Sequence, residues 1–131
     1  MELTDFEVLD YLHDATVTSL VYRFDVDNRR ELVLTVICNR DAGYPTWDGK
    51  RIVIRLHDLI LANHFVVGAM AGREHLDAWR AQLSPSMAVE LKRLAAAGIR
   101  PSGHPFVVAF HSGSALDVIC RRVFVEVHEA A

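Results

Sequence analysis

Two His-Asp dipeptides place an imidazole beside a carboxylate: His13-Asp14 in YLHDA and His57-Asp58 in RLHDL. Such a pair can share a divalent metal ion, or the carboxylate can orient the imidazole for proton transfer. A small-ligand or metal-dependent, hydrolase-type function would rest on His13, Asp14, His57 and Asp58. Against that stands a plainer role, in which each Asp caps or turns the backbone at the end of an element. Seven histidines make two such pairs only a mild excess over chance. His64, His75, His104, His111 and His128 form no HxH or HxxxH pair, and His111 reads as a surface residue on a strand's outer face. Strand-end histidines can still meet in space, which spacing alone does not resolve. Other chemistry is weakly signalled. Ser112-Gly113-Ser114 lacks the GxSxG pattern of a hydrolase elbow, and the glycines form no phosphate-cradling loop. Cys38 and Cys120 sit at alternating apolar positions and read as buried free thiols. The expectation is a non-catalytic chain with no metal and no other cofactor.

The second set of candidates is aromatic and basic. Tyr44 and Trp47 stand in a loop with Gly43, Pro45 and Gly49, and Arg51 and Arg55 follow it. Tyr, Trp and Arg dominate interface hot spots, so these four residues form a candidate protein-binding face. The competing reading folds Trp47 back over an open sheet end and leaves the arginines on a solvated surface.

Strands must position these groups. Leu20, Tyr22 and Phe24 alternate with Ser19, Arg23 and Asp25; ELVLTVICN at 31–39 and RIVIRLH at 51–57 continue the period of two, predicting a three-strand meander. Phe106, Val108 and Phe110 alternate before Ser112-Gly113-Ser114, and Leu116, Val118 and Cys120 after it, predicting a C-terminal hairpin. Leu34, Ile54, Phe106, Phe110 and Val118 are the expected core. Beyond Arg121-Arg122 the apolar set moves to Val123, Val125 and Val127, which predicts a β-bulge. Thr4 or Asp5 can cap a short N-terminal helix bearing Phe6, Leu9 and Leu12. Leu76, Trp79 and Leu83 suggest a helix at 74–83. Ser84-Pro85 opens another whose stripe is Met87, Leu91 and Leu94, and Gly98 ends it. Residues 59–72 give mixed signals.

The predicted architecture is therefore one α+β domain spanning 1–131. Its largely antiparallel sheet has about five to six strands, with an N-terminal helix and a helical insert near residues 74–98. The totals fit a globular chain, at 131 residues, 51% apolar and 24% charged. A net charge of −3 with scattered Lys and Arg argues against nucleic acid as a partner. The N-terminus has no secretory pattern and no apolar run spans a bilayer, so the expectation is a soluble, cytoplasmic protein with no membrane partner.

LHDATVTSLVYRF at 12–24, ELVLTVI at 31–37, KRIVIRLHDL at 50–59 and FHSGSALDVICRRVFVEV at 110–127 resemble, in order and spacing, small bacterial uncharacterised domains. Some of these are grouped with immunity proteins of polymorphic toxin systems. The resemblance covers about half the chain, and its motifs are mostly alternating hydrophobics. It implies a non-enzymatic, protein-binding role of an immunity-like kind and supplies no catalytic residues. The sequence thus favours a binding domain that masks a protein partner. The alternatives are the His-Asp hydrolase-type function and a structural homo-oligomer.

Overall fold

A computed structural model describes residues 1–24, 30–65 and 74–130. Val26-Asp27-Asn28-Arg29-Arg30 reads as a polar turn, and it lies outside them up to Arg29, as does the ambiguous stretch from 66 to 72. Seven strands form one antiparallel sheet: β1 (Glu2–Leu3), β2 (Thr16–Phe24), β3 (Arg30–Ile37), β4 (Arg51–Phe65), β5 (Glu74–Arg80), β6 (His104–Phe110) and β7 (Ala115–His128). Their order is β1-β7-β4-β3-β2-β5-β6, and β6 pairs with β7 again. Six strands therefore close into a ring, with β1 added at β7. The architecture is a closed six-strand antiparallel barrel plus one strand, which corrects the α+β expectation. Closure removes the sheet edges that covering helices would otherwise protect.

The meander β2–β3–β4 and the hairpin β6–β7 are present, built into the ring. Leu34 pairs with Ile54 and Phe106 with Val118, and all four are fully buried. Phe110 is 5% exposed. Gly113, at φ +90, occupies the left-handed position in the β6–β7 turn, where a side chain would be strained.

The helical reading of 74–83 is wrong, because Glu74–Arg80 is a strand. Its cause is a register shift between Leu76 and Ala78. A shift of one residue turns the strand spacing of two into a spacing of three, so Leu76 and Trp79 both face the core and imitate a helical stripe. Similar shifts lie between Val17 and Ser19 in β2 and between Leu59 and Leu61 in β4. They bend strands, as a small barrel requires. The shift in β4 falls opposite Cys120 and Ile119, so the irregularity expected in β7 at Arg121-Arg122 belongs to the neighbouring strand.

Two helical elements remain among the described residues. Phe6–Leu12 is a 3-10 helix capped by Asp5, whose carboxylate accepts from the Glu7 amide, and it buries Leu9 and Leu12 completely. The helix α1 (Pro85–Ala96) begins as the sequence predicts: Ser84 Oγ accepts from the Met87 amide at 3.2 Å. The same hydroxyl donates to buried Asp117 at 2.8 Å, and Ser86 donates to that carboxylate at 3.0 Å. The start of α1 is thereby tied to β7. Among the described residues, no helix is long and apolar enough to cross a membrane.

Candidate metal centre

The four residues of the expected binding face do not make one open surface. Trp47 is 3% exposed and belongs to the core. Tyr44 stacks on Tyr11 at 4.8 Å and meets the Trp47 ring edge-on at 5.1 Å. These rings fold over the barrel, as the competing reading has it. Arg55 is held by Glu31 and Glu126, each at 3.3 Å, on the outer face of β3, β4 and β7. Arg51 is exposed.

The two His-Asp pairs also part company. His57 Nε2 lies 2.9 Å from Glu31, within the Arg55 network, and Asp58 faces Arg122 at 3.8 Å. Both Asp residues do turn the backbone: Asp14 has φ +64 and Asp58 φ +56. Left-handed backbone is uncommon outside glycine and is tolerated best by Asn and Asp. Residues held there against local preference concentrate at functional sites. At Asp14 the hold is visible. Its amide donates to the Leu76 carbonyl at 2.8 Å, and the Leu76 amide donates back across the seam to Ala15 at 2.9 Å.

This seam, where β2 begins, β5 begins and β6 ends, gathers a cluster of titratable groups. Asp14 Oδ1 lies 2.9 Å from His111 Nε2, and Asp14 Oδ2 lies 3.4 Å from His13 Nε2. His13 Nδ1 donates to the Asp77 carbonyl at 2.6 Å. That bond puts the proton on Nδ1 and turns Nε2 inward as a lone pair whenever the ring is neutral. It is also the largest influence raising the His13 pKa above its ordinary value; burial opposes it, and Asp14 and Asp77 add to the rise. Asp77 Oδ1 stands 3.8 Å from His111 Nε2, and the His75 ring lies 5.9 Å from the His111 ring.

Glu74 secures the turn that carries His111. This residue is 9% exposed. It accepts from Ser112 Oγ at 2.5 Å, from the Ser112 amide at 3.3 Å and from the His75 amide at 3.1 Å. Burial alone would push its carboxyl up. The hydrogen bonds from Ser112 and His75, with the charge of His111, outweigh it and hold the group below the usual range. The His111 amide donates to the His75 carbonyl at 2.9 Å, so both ends of the turn are fixed.

Among the described residues, His13, Asp14 and His111 form the one group of three such side chains whose donor atoms all lie within 4.8 Å of one another. Two nitrogens and one carboxylate oxygen suit zinc and neighbouring transition ions better than magnesium or calcium, which prefer oxygen. Sequence spacing identified two of these three residues, His13 and Asp14. It missed His111, Asp77 and Glu74, which arrive from distant strands. The available signal was that His75 and His111 both fall at strand ends.

Comparison with known proteins finds no matching family model, no matching curated protein and no matching solved structure.

Proposed function

We propose that this barrel is a divalent transition-metal-binding protein whose site is His13, Asp14 and His111. The observation that carries the reading is the convergence of two imidazole Nε2 atoms on the two oxygens of one carboxylate, with His13 already oriented by a backbone carbonyl. Orientation of a ligating imidazole through its other nitrogen is the usual outer support of a metal site. A tetrahedral zinc ion with bonds of about 2 Å sets its ligands about 3.3 Å apart, so the exposed side chains must rearrange to take an ion, Asp14 and His111 moving apart. Three protein donors leave a fourth position for water or substrate, the arrangement of catalytic rather than closed structural zinc. This supports the metal-dependent, hydrolase-type alternative over partner masking, whose aromatic anchor Trp47 is folded into the core.

Titration calorimetry of the purified chain with Zn²⁺ tests the reading. One ion per chain is expected, with affinity falling as pH drops and protons compete with the metal for its ligands. His111→Ala should abolish the binding, while His57→Ala, outside the site, should leave it intact. No saturable binding at pH 7.5, or equal losses in the two variants, would overturn the assignment.

A further inference from the structure

At one end the 3-10 helix inserts Leu9 and Leu12 and the loop adds Trp47, all buried in the core. Elsewhere the interior opens into a cavity of about 460 Å³ lined by Leu20, Tyr22, Leu32, Ala62, His64 and Leu116. Leu32 and Leu116 are buried and form its floor. Leu20 and Ala62 are half-buried walls, and Tyr22 and His64 are exposed at its rim. This volume falls within the range of small-molecule sites, which are mostly apolar with a few polar groups that orient the ligand.

We propose that this cavity binds a medium-chain carboxylate, the chain lying on Leu20, Leu32, Ala62 and Leu116 and the carboxylate reaching His64 at the mouth. Five of the six lining residues supply apolar or aromatic surface, which selects a hydrocarbon body. The imidazole has an N–H donor in either protonation state, which selects an acceptor head group. The site is separate from the His13, Asp14 and His111 group, and neither assignment depends on the other.

Octanoate and 1-octanol, titrated into the full chain and followed by NMR line shifts, test the proposal. Octanoate should bind saturably, with shifts at Leu20, Ala62 and Leu116. Ala62→Trp fills the cavity from β4 and should weaken octanoate by about tenfold or more. Leu20→Trp, from the opposite wall, gives the same test if Ala62→Trp does not fold. His64→Ala should weaken octanoate more than octanol, because a charged carboxylate is a stronger acceptor than a hydroxyl. Absence of saturable binding, or wild-type affinity in the folded tryptophan variant, would overturn the site. Equal response of both probes to His64→Ala would overturn the carboxylate assignment.

Discussion

Replacing Asp14 with alanine and, separately, with glycine separates its backbone role from its side-chain role. Both changes remove the carboxylate and its contacts to His13 and His111. Those contacts are half-exposed, and pairs of that kind contribute at most about 1 kcal/mol each. The two variants lose them equally, so the difference between the variants isolates the backbone. At φ +64 alanine is strained and glycine is not. Elsewhere, Gly→Ala usually stabilises by restricting the unfolded chain; at a left-handed position the sign reverses. Asp14→Ala should therefore be less stable than Asp14→Gly by about 1 kcal/mol. For a chain of this size that corresponds to about 3–5 °C in Tm. Thermal unfolding followed by circular dichroism, with urea titrations at 25 °C, gives both quantities. Asp14→Asn supplies the complementary case. It tolerates the same backbone and should fold as well as the parent, yet lose most of the zinc affinity. An alanine variant as stable as the glycine variant would refute the argument that Asp14 is held in a costly conformation for the sake of its side chain.

Phe106→Ala should destabilise by about 3–5 kcal/mol in urea titrations, since its ring is fully buried against Phe6 and Trp79. Trp47→Ala should likewise cost about 3 kcal/mol or more, whereas an interface residue would leave stability nearly unchanged. Cys38 and Cys120 should resist thiol reagents until the chain is unfolded: burial pushes the Cys120 thiol up to about 12, with Asp58 adding to the rise, and Cys38 moves the same way. The lowered Glu74 carboxyl contributes stability that is present above its ordinary value of about 4.3 and is lost as pH falls through its folded value. Glu74→Gln should therefore remove part of the acid-induced loss of stability expected of the parent below about pH 5.

Local signals were legible where one element decides its own shape. Ser84-Pro85 and Gly98 bracket α1, and the alternation of Leu34, Ile54, Phe106 and Val118 marks the core faces. What the chain hides is closure. Among the described residues β2 pairs with β5 at Thr16 with His75 and Val17 with Glu74, and no local pattern announces that seam. The register shifts that bend the strands also disguise them, because Val17 and Leu20, or Leu76 and Trp79, then recur at helical spacing. The candidate site was only partly legible for the same reason. His13 and Asp14 are neighbours in sequence, but His111 reaches them only once the ring is shut. Trp47 misled in the other direction, since an aromatic in a polar loop reads alike whether it caps a barrel or meets a partner.

The strand that shuts the ring is the last of the seven. β7 pairs along its length with β4, with β6 over its first half, and with β1 at Phe124 and Val123. The Met1 carbonyl also accepts from the Val125 amide. On a ribosome, the β2–β3–β4 meander can assemble from local contacts, but it must wait with an open edge on β4 until residues 115–128 have been made. Such waiting edges are what aggregation and chaperones compete for. Barrel closure by long-range pairing is also slow compared with hairpin formation. The yield of folded protein should therefore respond more to changes in β7 than to equally buried changes in β2 or β3, even where the finished barrels are equally stable.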